Sequence, residues 1–124
     1  MGKIEFLNSL VILFFQHQIQ IKMFHFQTTA YGGHKAVDSY LEKFNDNFDR
    51  FMEAGQGAFG KLTLSNVNLT ACVWNDDNIS KNLDGFIGIL NSLTEVLSEN
   101  TDLLTVRDEM LADVNQLKYL LTFS

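Results

Sequence analysis

The sequence predicts an all-α protein, a four-helix bundle with one long crossover between its second and third helices. Three observations carry that reading. No proline occurs in 124 residues, and proline is the residue that breaks helices and ends strands. Apolar residues recur at helical spacing through four segments. The connections between those segments run short, long, short.

The first helix is expected from Ile4 to about Phe26. Phe6, Leu7, Leu10, Leu13, Phe14, Ile21 and Phe24 make its main apolar stripe, and Val11, Ile12, Phe15 and Ile19 make a second flank. Ala30-Tyr31-Gly32-Gly33 reads as a turn. A second helix follows from about His34 to Ala54, with Val37, Leu41, Phe44, Phe48, Phe51 and Met52 on one side. Gly55-Gln56-Gly57 is a glycine-rich stop. Asp76 and Asp77 suit the start of a third helix, where negative charge is favourable. That helix runs to about Glu99 and carries Leu83, Phe86, Ile87, Leu90, Leu93, Val96 and Leu97 inside. Asn100 or Thr101 caps a fourth, to about Leu121, with Leu103, Val106, Met110, Val114, Leu117 and Leu121.

Short first and third connections make helices one and two antiparallel, and likewise three and four. The middle connection is long enough to travel back along a bundle helix of ~30 Å at ~3.3 Å per residue. One such crossover between helices two and three is the ferritin-like arrangement. Leu64 to Leu69 alternates like a strand, but no second strand follows to pair with it. Trp74, Phe59 and Val73 are expected to form an apolar lid on the bundle.

Residues 1–124 are read as one domain, and 46% apolar with 19% charged residues is a globular composition. The net charge of −6, with Lys3 alone near the amino terminus, argues against nucleic acid as a partner. The apolar run Leu10–Phe15 is far short of the roughly 20 residues a membrane span needs, and no small-residue cleavage site follows it. Cys72 is the only cysteine, so no internal disulfide can form. A reducing, cytoplasmic setting is expected, and the triplets at Asn68 and Asn78 read as chance glycosylation matches.

Five residues have a spacing that points to chemistry: His25, His34, Asp38, Asp49 and Glu53. On an ideal helix Asp38 lies about 40° from His34, Asp49 about 60° and Glu53 about 100°, so the four share a stripe. Imidazole and carboxylate donors suit iron, zinc or manganese. Asp38 and Glu53 are ~22 Å apart along the helix axis, so one chain cannot gather them around one ion. The stripe reads as two half-sites, His34/Asp38 and Asp49/Glu53. Two copies packed antiparallel about a twofold axis would complete each other, which predicts an isologous dimer. The competing reading is a solvated acidic face.

His25-Phe26 followed by His34-x3-Asp38-x10-Asp49-x3-Glu53 resembles the ferroxidase signature of Dps miniferritins. There a His-Trp pair precedes the same run, and the site forms between two subunits. The resemblance implies that His25, His34 and Asp38 of one chain face Asp49 and Glu53 of another. It implies Fe(II) oxidation by peroxide or oxygen, and storage of ferric mineral in a hollow dodecamer. Gln27 to Ala36, and Thr101-Asp102-Leu103 with Arg107 to Ala112, also look like Dps-like proteins encoded by phages and large DNA viruses, which would place the chain in a host cytoplasm or virion. This sequence departs from the family in three ways. The His25–His34 interval is shorter than usual, Phe26 replaces the tryptophan, and there is no basic tail. An alternative expectation is a bundle of the same fold that has lost iron chemistry and serves as a structural or virion-associated component.

Other signals are weaker. Gly55 to Lys61 fits G-x4-G-K, but Leu62 stands where Ser or Thr should hold magnesium and a helix precedes the motif. His17 reads as a polar residue inside the bundle. Gly85 and Gly88 read as small residues for close helix approach, and Arg107 as half of an Arg–carboxylate pair bracing the bundle.

Overall fold

The structure, a computed structural model, describes residues 2–123. The described residues form α1 (Lys3–Gln27), α2 (Tyr31–Phe59), α3 (Ile79–Asn91), the single turn α4 (Leu93–Val96) and α5 (Thr101–Leu121). No strand occurs among them, and 64–69 has no regular secondary structure.

Cross-helix contacts fix the directions. Leu7 lies against Gly55, His17 bonds Tyr40 and His25 stacks on His34, so α1 and α2 are antiparallel. Asn47 bonds Asp113 and Lys43 bonds Gln116, which sets α5 antiparallel to α2. Lys118 pairs with Asp84 and Arg107 reaches Leu90, so α5 is also antiparallel to α3. α2 and α3 therefore point the same way, and residues 60–78 return the length of the bundle between them. They run beside α1. The Thr63 amide donates to Asn8, Gln16 donates to the Thr70 carbonyl, and the Cys72 amide donates to Gln20.

The core centres on Phe14, whose ring meets Phe44, Phe48, Phe51 and Phe86 edge-on at 5.5–6.1 Å. Such pairs add about 0.5–1.5 kcal/mol each beyond burial. The apolar stripes of α2 and α5 lie inside as expected, but Leu13, Ile19 and Val96 are exposed. Trp74 closes the bundle at 5% exposure, whereas Val73 is 48% exposed and Phe59 belongs to α2. Among the described residues no helix is long and apolar enough to cross a membrane.

Several boundaries differ from those the sequence predicts, each for a local reason. α2 begins at Tyr31, three residues early, because first-turn amides lack intrahelical partners anyway. α2 also runs through Gly55 and Gly57 to Phe59. Gly55 is buried there, and a Cβ on it would sit 3.1 Å from Leu7, so packing against α1 outweighs the entropic cost. Gly85 and Gly88 have nothing within 4 Å of an added Cβ, so the close approach belongs to Gly55 instead. α3 starts at Ile79 because Asp76 is drawn away to Thr28 and Thr29, while Asn75 accepts from the amides of Asp77 and Asn78 in an Asx turn. Asn100 stands at the N-cap of α5 without a side-chain capping bond.

Gly60 ends α2 at φ 109°, a conformation that only glycine adopts readily. Gly60→Ala is expected to cost about 1–2 kcal/mol, read as a lower denaturant midpoint at unchanged m-value.

Candidate metal centre

The last turn of α1 and the first turn of α2 meet across the three residues Thr28–Ala30. That connection is braced from the crossover. Asp76 accepts from the Thr28 hydroxyl at 2.6 Å and from the Thr29 amide at 3.0 Å. Those bonds, the Thr28 hydroxyl first, hold its carboxyl below the usual range.

The brace brings His25 and His34 together with their ring centroids 3.8 Å apart and 28° from parallel. The His34 Nδ1–H donates to the His25 carbonyl at 3.0 Å. A carbonyl can only accept, so Nε2 of His34 carries the free lone pair. A bond of this kind fixes the tautomer and ring orientation of a ligating histidine. Nδ1 of His25 is buried without a hydrogen-bond partner, 3.9 Å from Asp38 Oδ1. Asp38 itself is exposed one helical turn beyond His34. Around this trio, Phe26 and Tyr31 are 73% and 76% exposed, with Phe26 edge-on to His25 and Tyr31 stacked over His34.

His25 therefore lies against His34 and 3.9 Å from Asp38 despite the short interval between the two histidines. Asp49 and Glu53 do not join them. Both are exposed further along α2, and Asp49 lies ~16 Å from Asp38 by helical rise. Among the described residues no three His, Cys, Asp or Glu side chains of the single chain are close enough to hold a metal ion together. The chain thus presents a histidine-rich group and an acidic group separately. Its trio offers imidazole lone pairs and one carboxylate, a donor set for borderline divalent metals.

Two features escaped the sequence reading. His17 and Tyr40 form a buried polar pair, Nε2 to hydroxyl 2.7 Å, in the middle of the bundle. His17 gave a partial signal as a histidine on an apolar stripe, while Tyr40 gave none. Arg107 pairs with Asp108 at 2.9 Å within its own helix, so that pair braces nothing. The brace is instead its Nη1, which donates to the Leu90 carbonyl at 2.8 Å and to Thr94 at 2.9 Å.

Fold and site together define an all-helical bundle carrying a histidine–carboxylate group at the α1–α2 junction. The chain belongs to DUF5856, a family of unknown function, whose profile matches residues 25–121. That span begins at His25 and contains all five candidate ligands. No curated protein and no solved structure matches the chain.

Proposed function

We propose that the chain is a Dps-like miniferritin subunit with the ferritin-like bundle fold, taking Fe(II) as substrate at sites shared between two copies. The observation that carries the reading is His25 packed on His34 and 3.9 Å from Asp38, with Asp49 and Glu53 left unshielded on the same helix as His34 and Asp38. The helix directions, with one return crossover beside α1, also support it. His25 and His34 would bind iron through imidazole nitrogen and Asp38 through oxygen, directly or by way of water. Asp49 and Glu53 of a second copy would close the site and neutralise the cation's charge. Two Fe(II) ions each give up one electron, and hydrogen peroxide accepts both with two protons from solvent as its O–O bond breaks to yield two waters. The expected assembly is a dodecamer built from such dimers, working in a reducing cytoplasm where Cys72 stays a thiol.

Aerobic or peroxide addition of Fe(II) is expected to give ferric absorbance in the near ultraviolet. Asp49→Ala and Glu53→Ala should each lower the initial rate at least ~10-fold, as loss of an anionic ligand does. Unfolding and refolding His34→Ala together with Glu53→Ala should restore part of the rate, because about half of the re-formed pairs are mixed and each mixed pair keeps one intact site. Unchanged rates in both carboxylate variants would sink the iron assignment. A native mass of one or two chains, with no oxidation, would favour a structural bundle instead.

A further inference from the structure

Near its end the crossover reaches the histidine pair through an unbroken run of hydrogen bonds. Asp76 Oδ1 accepts from the Thr28 hydroxyl at 2.6 Å, and Thr28 Oγ1 in turn accepts from the Ala30 amide at 3.2 Å. The Ala30 carbonyl accepts from the His34 amide at 3.0 Å, and the His34 ring donates through Nδ1 to the His25 carbonyl at 3.0 Å. One hydroxyl thus serves both neighbours, giving its proton to the carboxylate and a lone pair to the amide. Asp76 Oδ2 adds two bonds, from the Thr29 amide and hydroxyl, both at 3.0 Å.

Among the described residues, Asp76 is the only group outside α1 and α2 that bonds to the Thr28–Ala30 connection. Packing fits the same arrangement. Gly33 is buried in the first turn of α2, and a Cβ there would sit 3.2 Å from Thr28 Oγ1. Glycine therefore lets that turn close against the hydroxyl.

We propose that Asp76 is a positioning residue for the site: acting from the crossover through Thr28, it sets which His34 nitrogen is left to bind a metal ion. Which nitrogen of a histidine is protonated depends on the bond the other one makes. Clamping the connection holds the first turn of α2 where His34 Nδ1–H meets the His25 carbonyl, so Nε2 keeps its lone pair. Without the clamp the connection widens and that bond is lost. The ring then reverts to the Nε2–H form that an unconstrained imidazole prefers, and the lone pair moves to Nδ1, on the side of the His25 backbone. The consequence for metal binding rests on the iron reading; the tautomer itself does not.

The chain has three histidines, so their ring nitrogens can be resolved by long-range proton–nitrogen NMR. In mildly alkaline buffer the natural sequence should show His34 protonated at Nδ1. Asp76→Ala should shift His34 to predominantly Nε2–H, and so should Thr28→Val, which keeps the shape and removes the hydroxyl. Thr28→Ser retains the hydroxyl and should retain the natural pattern. Arg107→Met removes the bonds to Leu90 and Thr94, away from the site, and should also leave His34 unchanged. The proposal is overturned by Nε2–H in the natural sequence, or by an unchanged His34 in Asp76→Ala or Thr28→Val. The same shift in Thr28→Ser or Arg107→Met overturns it too. With Fe(II), Asp76→Ala should lower the initial oxidation rate roughly 10-fold, the lower end of losses seen when groups behind a ligand are removed. A shifted tautomer with an undiminished rate overturns the role at the metal. A shifted tautomer in a protein whose natural sequence oxidises no iron upholds the positioning and removes the iron reading alone.

Discussion

Lowering the pH from 6.5 is expected to destabilise the fold well before the carboxylates titrate, because of one residue. Burial holds the His17 imidazole at about 3, below its ordinary 6.5. The sign follows from linkage. With the folded value depressed, the unfolded chain takes up the proton first, so stability falls as pH drops below 6.5 and the loss levels off near 3. At about 1.4 kcal/mol per unit, roughly 3 kcal/mol should be lost by about pH 4.5. Other groups act in different windows. Asp76, depressed by Thr28 and Thr29, contributes stability that disappears only below the usual carboxylate range. Asp113, raised first by burial and then by Glu109, binds its proton more readily when folded and opposes the loss slightly. Tyr40, raised by burial and by Asp113, matters only in strong alkali.

The control is the double variant His17→Phe/Tyr40→Phe. Replacing both partners of a buried bond by apolar groups can be nearly neutral, whereas Tyr40→Phe alone should cost about 1–3 kcal/mol by stranding Nε2. Urea midpoints between pH 7 and about 4.5 should fall steeply in the natural sequence and much less in the double variant. Equal slopes would mean that His17 is not the group responsible.

The second large effect is at Arg107. Arg107→Met should lower stability by about 2–4 kcal/mol, since bonds from a charged donor are worth about 1.5–3 kcal/mol each and the Leu90 carbonyl would be left buried. α3 ends at Asn91 and α4 begins at Leu93, so the Leu90 carbonyl lies in the last turn of α3, where the regular helical ladder stops. Arg107, 7% exposed, supplies it with a donor from α5. Asp108 is a different matter. Its side chain is 65% exposed, and Asp108→Asn should cost under about 1 kcal/mol. Comparable losses in the two variants would show that the intrahelical pair, not the carbonyl, carries the effect.

These residues show where the sequence could be read and where it could not. Apolar periodicity located all the long helices, and the ends of α1 and α5 came within a residue, because nothing tertiary competes there. The glycines at 55 and 57 misled, since a close contact with Leu7 lies far away in sequence and overrides the local stop. Asp76 misled for a similar reason. Its charge suits a helix start, but two hydroxyls and an amide across the fold claim it first. The interruption at Ser92 has no proline or glycine to announce it, and the arginine that compensates is fifteen residues further on. At the candidate site, spacing identified the five residues and separated them into two groups. It could not show the stacking of His25 on His34, which depends on how a three-residue connection is clamped from outside.

The crossover has one more consequence, for the order in which the chain comes together. Each of its hydrogen bonds to α1 involves a side chain at one end or both, with no backbone ladder between them. α1 with α2, and α3 with α5, are helical hairpins closed by local contacts, the kind that form early. The strap from 60 to 78 can settle only after both hairpins have met, and residues 64–68 are exposed even then. A nick in that stretch would sever the covalent chain yet leave the faces joining the hairpins untouched. The molecule is in this sense two complementary halves, with the strap setting their effective concentration.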